Sequence, residues 1–236
     1  MKKIFEKVYT DSMNSFLQVV KDSLCNEKRM FIVTANPETF TLGENRKDYY
    51  ALLEDDATTI CPDGIGIIKA MDYLGIHAKE RIPGVAICEK LFEYGNTYNK
   101  SVCILGSKQE VLDKLIVVLK KNYPNLKLSS LVNGYVSDKD AVMEEFKALK
   151  PDIVIVALGI PNQELLIYKH LKDFDKGIFV GVGGSLDVIS GSKKRAPEIF
   201  IKLNLEWFYR IASEPSRIKR FYNNNVKFLF SLKKYK

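Results

Sequence analysis

Short apolar runs alternate with longer stretches of helical periodicity along this chain. Six runs, Phe31–Ala35, Thr58–Cys61, Val102–Leu105, Leu126–Val132, Ile153–Leu158 and Ile178–Val182, have the length of strands. Two of them, Ile153–Leu158 and Ile178–Val182, are unbroken apolar runs and read as parallel strands covered on both faces. Helical patterns begin near Asp11, Pro37, Arg46, Gly64, Gly84, Gln109, Ser137, Pro161 and Ala196. Ser137 reads as an N-cap with Asp138 and Asp140 in the first turn, and Pro161 and Pro197 stand where a first turn tolerates proline. This alternation predicts an α/β fold with a mostly parallel sheet and helices on both faces.

The ends of four runs carry the candidate chemistry. Ile153–Leu158 stops at Gly159 and continues into Pro161, Asn162, Gln163 and Glu164. Ile178–Val182 stops at Gly183, Gly184 and Ser185, with Asp187 two residues on. Ligands of open α/β sheets bind just beyond the carboxyl ends of the strands. Glycine lets a ligand approach the backbone there, and unpaired N–H groups at the next helix attract anions. Lys193, Lys194 and Arg195 follow, so the expected ligand is phosphorylated. The first run ends in Thr34, Asn36 and Glu38, and the second in Asp63 before Gly64 and Gly66. Asp63 could be a general base or only a helix cap. Four polar or glycine-rich loops on one side of a sheet are what a site looks like. Arg81, just before the helix near Gly84, is either an exposed cation or a partner for a diphosphate.

Charge divides the chain unevenly. The net charge is +7, and nine Lys or Arg against two Glu from Ile201 to Lys236 account for all of it. The first 200 residues carry 27 basic and 27 acidic side chains. The tail also interleaves Trp207, Phe208, Phe221, Tyr222, Phe228 and Phe230 with its cations, around a helix break at Glu214-Pro215. It is either a core-packing helix with a solvated face or a segment suited to an anionic membrane surface. We therefore divide the chain into a domain over residues 1–196 and a basic, aromatic helical appendage over 197–236.

Other classes find little support. No apolar run is long enough to span a membrane, and the amino terminus does not read as a signal peptide. The four cysteines are scattered in apolar contexts without a CxxC spacing, so they read as reduced core residues. His77 and His170 read as surface residues. GVGGSLD is not a dinucleotide fingerprint, and neither a phosphate loop nor a nucleophile elbow occurs. Asp138/Asp140 and Asp173/Asp175 have D-x-D spacing, but lie in an opening helical turn and a loop, and do not read as metal ligands. No motif supports a nucleic-acid partner for the basic tail.

Eight motifs occur in order: PDGIG (Pro62–Gly66), ERIPG (Glu80–Gly84), ILGS (Ile104–Ser107), NGY (Asn133–Tyr135), VALGIPNQE (Val156–Glu164), GVGGSLDV (Gly181–Val188), KRAP (Lys194–Pro197) and LEWFYR…EP (Leu205–Pro215). Together they resemble the WecG/TagA/CpsF glycosyltransferases, glycosyltransferase family 26, from about Phe31 to Arg220. The resemblance implies a Rossmann-like core with a C-terminal appendage, and a metal-independent, inverting enzyme without a cofactor. It implies a UDP-sugar donor, a polyprenyl-diphospho-sugar acceptor and a peripheral location on the inner face of the bacterial membrane, in teichoic acid or surface polysaccharide synthesis. Carried over by motif, Asp63 is the base, joined by Thr34 and Asn36 from the first strand end. Arg81 and Gln163 line the pocket, and Tyr135 and Asp187 face the nucleotide. Arg210, Arg217 and Arg220 match appendage cations expected near the diphosphate, while Gly183, Gly184, Ser185, Lys194 and Arg195 suit the phosphates by their own chemistry. One position departs from the family. Many members have an aspartate where this chain has Ala86, which leaves the sugars open. The leading expectation is N-acetylmannosamine transfer to undecaprenyl-diphospho-N-acetylglucosamine. The alternative is a nucleotide-sugar-binding accessory subunit of a capsule glycosyltransferase pair. Homo-oligomerisation is left open.

Overall fold

A computed structural model describes residues 1–203, 205–213, 218, 222 and 227–236. In chain order, α1 (Lys2–Glu6) and α2 (Met13–Cys25) precede β1 (Arg29–Ala35), α3 (Pro37–Asn45) and α4 (Lys47–Glu54). Then come β2 (Thr58–Pro62), α5 (Ile65–Tyr73), α6 (Gly84–Thr97), β3 (Ser101–Gly106) and α7 (Gln109–Asn122). β4 (Lys127–Val132), α8 (Lys139–Leu149), β5 (Ile153–Ala157), α9 (Asn162–His170) and β6 (Gly177–Gly181) complete the sheet. The helices α10 (Ser185–Ile189), α11 (Glu198–Lys202), α12 (Glu206–Ser213) and α13 (Lys227–Ser231) follow among the described residues.

The six strands are all parallel, in the order β2-β1-β6-β5-β3-β4. Each central strand supplies both cores by period-two alternation. Phe31, Val33, Val154, Val156 and Phe179 pack on one face, under α3, α4, α5 and α9. Ile32, Ile153, Ile155, Ile178 and Val180 pack on the other, under α2, α6 and α7. Double coverage is the reason the strands read as unbroken apolar runs.

Three features differ from expectation. α1 is missing from the sequence reading because five residues are too few to display a period, yet its Ile4 and Phe5 are fully buried. After α1, Val8 bridges Ile60 and the Tyr9 N–H donates to the Ile60 carbonyl at 2.8 Å, covering the open edge of β2. The N-cap of α8 is Asp138 rather than Ser137: its carboxylate accepts from the Ala141 N–H at 2.9 Å. Of the cysteines, Cys61, Cys88 and Cys103 are buried as expected, but Cys25 is exposed at the end of α2.

The end of the tail is part of the core. Phe228 on α13 is buried, with its ring 5.9 Å from that of Phe40 and 6.3 Å from that of Phe5. Leu232 is buried beside it, and Lys234 pairs with Glu44 of α3. The sequence-predicted break at Glu214-Pro215 lies outside the described residues. Replacing Phe228 with Ala is expected to cost about 3 kcal/mol of stability, because it opens a cavity among aromatic rings. Urea unfolding measures this. An unchanged midpoint would mean that α13 does not anchor to the domain.

Candidate active site

Strands β2, β1, β6 and β5 are consecutive in the sheet, so their carboxyl ends form one row. β1 and β2 finish in register, Ala35 opposite Pro62. The Asp63 N–H extends that pairing by donating to the Ala35 carbonyl at 2.8 Å, which fixes the backbone of Asp63 at the rim. One Asp63 carboxylate oxygen accepts from the Gly84 N–H at 3.3 Å, where α6 begins. Gly84 also abuts Thr34: a Cβ at residue 84 would lie 3.2 Å from the threonine methyl. Glycine is therefore what lets α6 start against β1. Asp63 and Thr34 thus flank one helix start, and the Thr34 hydroxyl donates to the Gly181 carbonyl on β6 at 3.3 Å. Asn36 sits one step outward as the N-cap of α3, its carbonyl oxygen accepting from the Glu38 and Thr39 amides at 2.8 and 3.3 Å. Next to Asp63, Cys61 is fully buried and its thiol is pushed well up by burial and the nearby carboxylate, so it offers no thiolate.

The β5 and β6 loops are tied together by one side chain. Gln163, only 2% exposed, accepts from the Gly159 N–H at 3.0 Å and from the Gly183 N–H at 2.9 Å with the same carbonyl oxygen. Both glycines have positive φ, +78° and +50°, which turns their amides towards it. The carboxamide lies flat against Gly181, where an added Cβ would come within 2.7–2.9 Å of it. Sequence reasoning set Gln163 in the pocket wall and left the loop amides for a ligand. The structure sets Gln163 beneath the loops, and two of those amides already bond to it. A third, from Ser185, donates to the Val182 carbonyl at 3.1 Å.

Glu164 escaped the sequence reading. It is fully buried, and its carboxylate accepts from the Gln163 amide nitrogen at 2.6 Å. Among the described residues, its second oxygen and the buried Tyr49 hydroxyl have no hydrogen-bond partner. The signal was the period of α9, which puts residue 164 on the face of Ile167 and Leu171.

The remaining candidates sit around this centre. Asp187 accepts from the Ser107 hydroxyl at 3.3 Å, which links the β6 loop to the end of β3. The Gly134 N–H donates to the Ser107 carbonyl at 2.8 Å, so the loop carrying Tyr135 adjoins, with Tyr135 itself exposed. Ser185, Lys194 and Arg195 line a small cleft with Val188 and Glu206. Arg195 reaches Glu89 at 3.4 Å. Arg81 pairs with Glu206 of α12 at 2.9 Å, with both side chains mostly buried. Ala86 occupies the first turn of α6. Arg210 belongs to α12, but its side chain, like Arg217 and Arg220, lies outside the described residues.

Two features lie apart from this edge. A cleft lined by Glu27, Lys147 and Lys176 opens near the residues that lead into β1 and β6, and holds none of the motif residues. His170 is buried, against expectation, because it ends the inward face of α9. Its ring bonds Asp140 at 2.7 Å and lies 3.4 Å from Asp173 and 3.7 Å from Glu144. One aspartate of each D-x-D pair, Asp140 and Asp173, thus meets the same imidazole. Lys169 pairs with Asp140 at 2.8 Å.

The comparisons with known proteins agree with this architecture. Residues 3–236 match the family described as Glycosyl transferase WecG/TagA/CpsF family. The chain belongs to that family. It is 36% identical over 221 residues to a Bacillus spizizenii protein named N-acetylglucosaminyldiphosphoundecaprenol N-acetyl-beta-D-mannosaminyltransferase, covering 93% of this chain and 86% of that one. Proteins of the same name from Bacillus subtilis and Staphylococcus aureus strain MW2 are 34% and 35% identical, each covering 89% of this chain and 82% or 83% of theirs. The row of loops is therefore the edge of a glycosyltransferase.

Glu164 gives this glycosyltransferase a pH signature. Burial pushes its carboxyl up from 4.5 to about 7; the Gln163 hydrogen bond opposes the shift and Glu38 adds to it. Between those values the folded protein keeps a proton that the unfolded chain has released. Stability therefore falls as pH rises through this window and levels off above it. The loss is on the order of 3 kcal/mol at most. The Glu164→Gln variant has no such proton, so its urea midpoint should gain on the wild type between about pH 5 and pH 8. Parallel midpoints across that range would contradict a buried, uncompensated acid.

Proposed function

We propose that this glycosyltransferase moves N-acetylmannosamine from a UDP-sugar to a polyprenyl-diphospho-N-acetylglucosamine at the inner face of the bacterial membrane, as a step of teichoic acid or related polysaccharide synthesis. The observation that carries the reading is Asp63 held at the end of β2 beside Thr34, two strands from the paired glycine loops, in a chain about one-third identical to named mannosaminyltransferases.

In this reading Asp63 takes the proton from the acceptor hydroxyl as that oxygen attacks the anomeric carbon. The bond from that carbon to the UDP oxygen breaks, and UDP leaves with the electron pair. A general base of this kind contributes ~10²–10⁴-fold. The Gly84 amide, donating to the far end of the carboxylate, holds it in one orientation. Negative charge gathering on UDP is met by Lys194 and Arg195 beside the β6 loop, and Asp187 and Tyr135 serve the nucleoside. A diphosphate arriving at Arg81 competes with Glu206 for the guanidinium.

The acceptor side of the proposal rests on the tail. Leu203, Phe208 and Phe230 expose apolar surface among the residues that carry the net charge, which suits the interface of an anionic bilayer. Among the described residues no helix is long and apolar enough to cross a membrane. Flotation with anionic vesicles tests this contact, and equal recovery with neutral vesicles would remove it.

The decisive assay incubates purified protein with UDP-N-acetylmannosamine and polyprenyl-diphospho-N-acetylglucosamine and reads the product by mass. One added N-acetylhexosamine is the expected result. Asp63→Asn should lower turnover by roughly 10²-fold or more while UDP binding persists. Full turnover in that variant removes Asp63 as the base. No turnover by the wild type unless a second protein is supplied favours an accessory subunit.

A further inference from the structure

Glu164 is an acid that the proposed reaction does not use. It is fully buried, and among the described residues no cation pairs with it. Its neighbours from other elements are Tyr49 on α4 and Glu38 on α3, which offer no positive charge. A carboxyl in such a place destabilises the fold, and an apolar side chain of equal size would be better tolerated. Its hydrogen bond from Gln163 ties it to the loops above.

That bond is one of three contacts that together set which way Gln163 faces. A carboxamide has an oxygen at one end and an N–H₂ at the other. Two N–H donors, from Gly159 and Gly183, converge on one end, and the Glu164 oxygen stands at the other. Only one orientation satisfies all three contacts. Turned over, the amide would set N–H₂ against two N–H groups and an oxygen against a carboxyl oxygen.

We propose that Glu164 is a positioning residue for the donor site: it orients the Gln163 carboxamide and so holds the β5 and β6 loops at one spacing for the nucleotide diphosphate. This rests on the reading that those loops take a UDP-sugar. Glu164 touches no substrate and acts only through Gln163. Gly181 is the opposite jaw, because its missing side chain leaves room for the carboxamide.

Three variants test this, each read by UDP binding, by donor KM against kcat, and by hydrogen exchange at the Gly159 and Gly183 amides. Glu164→Met keeps the volume and removes the acceptor. It should speed exchange at both amides and weaken UDP binding by about tenfold, the worth of one well-placed hydrogen bond. Its thermal midpoint should equal or exceed that of the wild type, since a buried acid is gone. Glu164→Gln restores an acceptor oxygen and should rescue both readouts. Gly181→Ala crowds the carboxamide from the other side, leaves Glu164 intact, and should weaken UDP as Glu164→Met does. It decides the matter if Glu164→Met does not fold.

Wild-type UDP affinity in folded Glu164→Met, or in Gly181→Ala, overturns the proposal, as does failure of Glu164→Gln to rescue. If the wild type itself does not bind UDP, the donor-site reading fails. The exchange rates then judge the clamp alone: faster exchange in Glu164→Met upholds it, and unchanged exchange overturns it.

Discussion

One carbonyl oxygen, that of Gln163, accepts the N–H groups of Gly159 and Gly183 and joins the ends of two neighbouring strands. Strand register brings β5 and β6 side by side, but register alone does not set the loops beyond them. The clamp does. Thr34 reaches the same point from the other side, through the Gly181 carbonyl, and Asp63 shares the Gly84 helix start with Thr34. Asp63 beyond β2 and the glycine loop beyond β6, the base and the phosphate holder of the proposed reaction, are thereby related through contacts of about 3 Å.

That arrangement puts an uncompensated acid in the interior. Glu164 and the unpaired Tyr49 hydroxyl beneath it are features a fold selected for stability alone would replace with apolar side chains. Polar groups left imperfectly satisfied under a functional edge are where local rules are expected to give way to function. Similar tension shows at Arg81. Its charge suits a diphosphate but is engaged by Glu206 of α12, so in the proposed reaction the ligand and α12 would compete for one cation.

Much of the fold was legible in the sequence, and the exceptions have physical reasons. The central strands could be read because both their faces are covered, so apolar runs mark them without a period, whereas β4 at the sheet edge is only half-buried. The four site loops could be located because parallel strands end at one edge. α1 could not, since its five residues bury two side chains without forming a pattern. Gln163 and Glu164 look like an ordinary polar helix start, and their burial follows only from the period of the whole helix, which buries His170 as well. The pairing of Arg81 with Glu206 spans 125 positions, and nothing local announces it. The tail's two roles were posed as alternatives, yet Phe228 enters the core while Phe230, two residues on, stays exposed.

The central claim is that one edge of the sheet, from β2 to β5, holds both the base and the nucleotide diphosphate. A crystal structure with UDP bound tests this most directly. The account predicts the diphosphate over the Gly183–Ser185 loop, on the same side of the sheet as the Asp63 carboxylate and open to it across β1. A diphosphate lodged at the opposite edge, among Glu27, Lys147 and Lys176, would contradict it.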